Sequence, residues 1–125
     1  MKKAAVCIAT CHRMHGLRSL LGDLLQQDVP VGWEVEIRVV CNEPDVDQRR
    51  FAQSVYSIIP DAIITFESIQ NIARARNAAV RLGVADAFLF IDDDERPNPC
   101  WLRSLLMRID NAQIDAVFGP VYGRQ

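Results

Sequence analysis

The chain has 125 residues, a formal charge of −2 and 24% charged residues, and 50% of its residues are apolar. That is one domain's worth of sequence with enough apolar content for a single core, and it excludes disorder, collagen and low-complexity repeats. Near-neutral charge argues against a dedicated nucleic-acid binder, and no apolar run approaches the roughly 20 residues of a membrane helix.

Lys2 and Lys3 open the chain, but the apolar stretch after them is too short for the core of a signal peptide. Ala4 to Ala9 (AAVCIA) predicts a short buried strand ending at Thr10. Leu17, Leu20, Leu21, Leu24 and Leu25 then recur at helical period, and Pro30 and Gly32 end that helix. Trp33 to Cys41 reads as a second strand, alternating through Val35, Ile37 and Val39 before an apolar finish. Asp45, with Gln48 three residues on, reads as the N-cap of a second helix that carries Phe51, Ala52, Val55 and Tyr56 and stops before Pro60. Ala62 to Phe66 is a third strand. Ile72, Ala75, Ala79 and Leu82 mark a third helix ended by Gly83. Ala87 to Ile91 is a fourth strand, apolar throughout. Asn98 and Pro99 supply a cap and first-turn proline for a fourth helix with Trp101, Leu102, Leu105, Leu106 and Ile109 on its face. Ala116 to Phe118 is a fifth strand.

Apolar strands alternating with amphipathic helices imply an α/β fold: a doubly wound, mostly parallel sheet with helices on both faces, the sequence running out after the fifth strand. In such sheets ligands bind beyond the carboxyl ends of the strands, here just after Ala9, Cys41, Phe66, Ile91 and Phe118. Cys7, Cys11, Cys41 and Cys100 form no C-x-x-C pair. They read as reduced thiols of a cytoplasmic protein, with peripheral attachment to the inner face of the membrane left open.

The strand ends carry the chemistry. After the fourth strand come Asp92, Asp93, Asp94 and Glu95. On an extended segment the carboxylates of Asp92 and Asp94 reach one hard divalent ion, which prefers oxygen ligands; equally, four acids form a solvated loop ahead of a helix. After the first strand, Cys11, His12 and His15 with Cys7 have the composition of a zinc set but not its spacing, while Arg13 near a helix start suits a phosphate. After the second strand Asn42 offers a donor and an acceptor to a base edge, although Asn and Pro alone read as a turn. Arg74 and Arg76 lie in the first turns of the third helix, where the helix dipole favours acids. Cations there fit an anionic ligand or pairing with the acids after Ile91.

Together the segments VCIATCHR (6–13), VVCNEPD (39–45), NIARARNAAV (71–80), FLFIDDDERP (88–97), WLRSLL (101–106) and DAVFGPV (115–121) resemble, in order and spacing, the nucleotide-sugar-binding half of a family-2 glycosyltransferase of the GT-A fold. The resemblance implies metal-dependent, inverting transfer of a sugar from a nucleotide-sugar donor, UDP-linked, to an acceptor hydroxyl. It implies manganese or magnesium held by Asp94 and Asp92, Asp93 near the ribose or sugar, Thr10 and Arg13 on the nucleoside, Asn42 at the base and Arg76 facing the nucleotide. Cys11 and His12 stand where the family usually has tyrosine and asparagine, and Cys41 and Asn42 where it commonly has two aspartates. An amide pairs with uracil less discriminatingly than a carboxylate does.

Residues 1–125 are thus expected to form one domain, the donor-binding part without the acceptor-binding half. No catalytic base is assigned, and Glu95 lies too close to the metal motif to be one. The acceptor stays unidentified, and an uncovered sheet face makes a homo-oligomer the expected state. The alternative is a non-catalytic nucleotide-binding or oligomerisation module. A phosphoryl-accepting receiver lacks its acids after the first strand, a P-loop lacks G-x-x-x-x-G-K-[ST], and a dinucleotide site lacks a glycine-rich first turn.

Overall fold

A strand that is apolar on both faces needs cover on both, and the layers follow from that. The computed structural model describes residues 1–112 and 122–123. The elements are β1 (Lys2–Thr10), α1 (Met14–Leu25), β2 (Trp33–Cys41), α2 (Gln48–Tyr56), β3 (Ile63–Phe66), α3 (Ile72–Val80), β4 (Ala87–Phe90), β5 (Glu95–Arg96), α4 (Trp101–Ala112) and β6 (Tyr122–Gly123). Four strands form a parallel sheet in the order β3-β2-β1-β4, and β5 pairs antiparallel with β6. The expected strand at Ala116–Phe118 lies outside the described residues.

Side chains alternate across β1. Ala4, Val6 and Ile8 point into the larger core with leucines of α1 and α4 and with Phe51 and Val55 of α2. Ala5 and Cys7 point the other way, into a small cluster with Val40, Ala75 and Ala79, where the alanines of α3 let that helix lie close on the sheet. Leu17, Leu20, Leu21 and Leu24 are buried as the periodicity predicts; Leu25, the last residue of α1, is exposed. No helix among the described residues is long and apolar enough to cross a membrane.

Two helix starts differ from expectation. The N-cap of α2 is Asp47, whose side chain accepts from Arg50 N at 3.1 Å, rather than Asp45. Pro44 and Asp45 form a turn first, which leaves Val46 before the cap to pack into the core that also holds Phe51, the staple arrangement. At α4, Asn98 closes a turn by accepting from Cys100 N at 2.8 Å, and the helix begins at Trp101. The first turn of α4 is served instead from the end of α1: Gln27 accepts from Leu102 N at 3.0 Å and donates to Asn98 O at 2.7 Å.

Cys7 and Cys41 are buried, and burial pushes both thiols up to about 11, so they stay protonated and inert at neutral pH. Cys11 is half-buried and Cys100 exposed. Ellman's reagent is therefore expected to titrate two thiols in the native protein and all four in guanidinium; four fast thiols in the native state would contradict the burial.

Candidate functional site

The strand order reverses between β1 and β4, since β1 sends its first connection toward β2 and receives β4 on its other side. That reversal opens a crevice at the carboxyl ends. A cleft of about 370 Å³ occupies it, lined by Thr10, Arg13, Asn42, Ile72 and the aspartates 92–94. The topology therefore brings Thr10, Arg13, Asn42, Asp92, Asp93 and Asp94, all expected site residues, to one place.

The acidic run is a turn and not the expected extended segment. Glu95 N donates to Asp92 O at 3.1 Å and Asp92 N donates to Glu95 Oε1 at 2.9 Å, closing residues 92–95 on themselves. Turning separates the roles of the carboxylates. Asp93 is buried and accepts from Thr10 Oγ1 at 2.8 Å. Burial raises its carboxyl above the ordinary range, opposed by the Thr10 hydrogen bond and the Arg13 charge. Glu95 is likewise raised by burial, against the hydrogen bond from Asp92 N. Asp92 and Asp94 point outward, with side chains 57% and 60% exposed.

Two cations face the turn. Arg13 Nη1 lies 3.3 Å from Asp94 Oδ2 and 3.6 Å from Asp93 Oδ1. Arg76 Nη2 lies 3.8 Å from Asp92 Oδ1, with its guanidinium over the Phe90 ring. Arg74 turns instead to Glu67, at 3.3 Å. The far end of the turn is tied to α1 by Arg96, whose Nε and Nη2 donate to the two oxygens of Asp23 at 2.6 and 3.0 Å.

Arg13 is aimed by an uncommon backbone. His12 has φ 54°, a left-handed conformation that costs a non-glycine residue roughly 1–2 kcal/mol. Glu43, at the end of β2, holds it: Oε1 accepts from His12 N at 2.6 Å, and Oε2 lies 3.5 Å from His12 Nδ1. The zinc composition is not assembled. Cys7 is in the sheet core, His12 faces Glu43, and Cys11 Sγ accepts from Gln70 Nε2 at 2.9 Å. Among the described residues no three His, Cys, Asp or Glu side chains group as a metal cage.

Asn42 is buried, and its amide is largely committed. Nδ2 donates to Glu67 O at 2.7 Å and Ile69 O at 2.8 Å, while Oδ1 accepts from Asn71 N at 3.1 Å. Two carbonyls facing one end fix which end carries the protons. The donor expected for a base edge is thus used on the loop between β3 and α3, leaving one lone pair on Oδ1.

Three site residues escaped the sequence reading. Ile72, expected on the buried face of α3, lies 54% exposed at the cleft; its place as the first residue of the helix was the available signal. Glu43 looked like part of a turn. Gly16 sits where a Cβ would come 2.9 Å from Asp93 O; a glycine in the first turn of a leucine-rich helix was the only hint.

An ion held wholly by protein does not fit this donor set. The outward acids Asp92 and Asp94 would supply only part of an ion's shell, phosphate oxygens and water the rest, which is the usual habit of magnesium-like cations.

A family profile described as Glycosyl transferase family 2 matches residues 5–125. No curated protein matches the chain. Among solved structures, S. aureus TarS 1-349 in complex with UDP superposes with a TM-score of 0.73 at 19% identity, over 94% of this chain and 38% of that one. The same protein in complex with UDP-GlcNAc gives 0.70 at 21% identity, over 96% and 37%. The mannosyltransferase PcManGT from Pyrobaculum calidifontis, in complex with GDP-Man and Mn2+, gives 0.61 at 20% identity, over 75% and 28%. The chain thus spans less than two fifths of the length of each of these structures, and the likeness is one of fold.

Proposed function

The chain belongs to glycosyl transferase family 2, and from that premise we propose that its cleft binds a nucleotide-sugar donor, UDP-linked, for metal-dependent transfer of the sugar to an acceptor hydroxyl with inversion. The observation that carries the reading is the divided acidic turn at the switch point: Asp93 drawn inward onto Thr10, Asp92 and Asp94 left facing the cleft mouth. The neighbours' bound UDP, UDP-GlcNAc, GDP-Man and Mn2+ support it.

In this reading each residue has a physical task. Asp92 and Asp94 would hold a divalent ion, manganese or magnesium, whose charge would offset that growing on the leaving diphosphate. The guanidinium groups of Arg13, beside Asp93 and Asp94, and Arg76, beside Asp92, supply further positive charge toward that diphosphate. Thr10 keeps Asp93 in place and so fixes the geometry of both outward acids. Asn42 offers its remaining lone pair to a ring N–H. Uracil and guanine have such a donor; cytosine and adenine present a bare ring nitrogen instead. Ile72 gives the base an apolar contact. Inversion is the outcome of direct displacement, in which the acceptor oxygen attacks the anomeric carbon as the bond to the diphosphate breaks. No side chain is assigned as the acceptor's base.

A thermal-shift panel tests this. UDP with manganese is expected to raise the melting midpoint most, ahead of CDP and ADP. At 100 times the dissociation constant the stabilisation is about 2.7 kcal/mol. The gain should vanish without metal and in Asp94→Ala. A rise that persists unchanged in Asp94→Ala, or no rise with any nucleoside diphosphate, sinks the reading.

A further inference from the structure

We propose that Arg13 is a resident counter-cation of the acidic turn, one that yields its carboxylates to a divalent ion and then faces the diphosphate, and that Glu43 aims it by holding His12. The proposal rests on the donor-site reading but is carried by a different set of contacts.

Four acids in sequence repel one another, and this turn answers the repulsion with protein cations. Arg13 lies across Asp93 and Asp94, and Arg76 against Asp92. Arg13 therefore stands beside one of the two outward carboxylates that a metal requires. Its contact with Asp94, at 3.3 Å, is loose for a charged hydrogen bond, and its side chain is 59% exposed. A half-solvated pair of this kind contributes little and is readily exchanged. The contrast with Arg96 is informative: that side chain reaches Asp23 in a bidentate pair at 2.6 and 3.0 Å and serves as a fixed anchor of the same turn.

Arg13 does not take this position through a relaxed backbone. It follows His12 at φ 54°, and a left-handed histidine persists only where its surroundings impose it. Glu43 supplies that constraint with a 2.6 Å bond to His12 N, from a side chain only 15% exposed. The end of β2 thereby sets the direction of a cation at the start of α1.

The arrangement predicts effects of opposite sign on two ligands. Without nucleotide, Arg13 competes with the metal; with a diphosphate present, it cooperates. Manganese affinity is measured alone by electron paramagnetic resonance, and UDP affinity by calorimetry in saturating manganese. Arg13→Gln is expected to bind manganese alone roughly twofold to fivefold more tightly and UDP more weakly by a similar factor, the scale of a surface ion pair. Glu43→Ala should shift both in the same directions, less strongly. Glu43→Gln, which keeps an acceptor for His12 N, should recover most of the loss. Manganese affinity that is unchanged or weaker in Arg13→Gln, or no manganese uptake by either form, overturns the counter-cation role. Tighter manganese with UDP unaffected overturns the diphosphate role. Absence of UDP binding by the unaltered chain overturns the donor-site reading and the diphosphate role together, while the manganese comparison still decides the first half.

Discussion

Replacing Arg38 by methionine is expected to lower the free energy of unfolding by about 3 kcal/mol, the low end for breaking a buried ion pair from one side. Arg38 lies in the middle of β2 and is 1% exposed. Its Nε donates to Glu36 Oε2, two residues back on the same strand, at 2.6 Å, and its Nη1 donates to Ala79 O of α3 at 2.9 Å. Val80 O lies at 3.5 Å from the same nitrogen, and the guanidinium sits over the Phe88 ring. The last carbonyls of a helix lack intrahelical partners; at the end of α3, Ala79 O accepts from Leu82 N at 3.3 Å and receives a second, charged donor from this buried arginine. Methionine fills similar space but leaves Glu36 with only Lys3, at 3.6 Å, and takes a charged donor away from Ala79 O. Urea denaturation should show a lower midpoint with an unchanged slope, and the melting temperature should fall by roughly 12 °C. Adding Glu36→Leu to Arg38→Met should recover part of the loss, because removing both charges is often nearly neutral. A single variant as stable as the parent would show that the pair and the helix end find other partners.

The second large effect concerns binding more than stability. Gly16→Ala places a methyl 2.9 Å from Asp93 O, a backbone atom that cannot swing aside as a side-chain tip does. Either α1 or the acidic turn must move, and the turn is what Thr10, Arg13 and Arg96 position. Alanine favours a helix over glycine by up to about 1 kcal/mol, while overpacking costs typically 1–3 kcal/mol, so the net destabilisation is expected to be no more than about 2 kcal/mol. UDP and manganese binding, by contrast, should fall at least tenfold, since a displacement on the order of 1 Å has effects of that size or larger. Gly22→Ala is the internal control. It lies in the same helix with nothing within 4 Å of the added carbon, and it should raise stability by roughly 0.5–1 kcal/mol with binding intact. If the two alanine variants behave alike, the close approach of Gly16 to Asp93 has no bearing on the site.

Much of the fold was legible from local pattern. The leucine spacing in residues 17–24 marks the buried face of α1, and the unbroken apolar runs of β1 and β4 announce a sheet covered on both sides. Asp47 was missed in favour of Asp45 because both have a plausible cap pattern, and only the room needed by Val46 and Phe51 in the core selects between them. Arg38 left no trace, for a charged residue in an alternating strand reads as solvent-facing until a helix is known to lie on that face. Asn42 shows the same limit. Its type offered a donor and an acceptor, but which of these remained depended on the loop from Glu67 to Asn71.

The sequence by itself determined which segments become strands and helices, that both sheet faces carry packed helices, and that the candidate site residues gather at the carboxyl ends. These follow from periodicity and local composition, which act over a few residues. Tertiary structure alone decided that the acidic run turns inward at Asp93, that Arg13 is its counter-cation and that Gly16 must stay bare. Thr10 and Asp93 meet across 83 residues, and a contact of that range exists only once β4 has been laid beside β1, an order that no local pattern specifies.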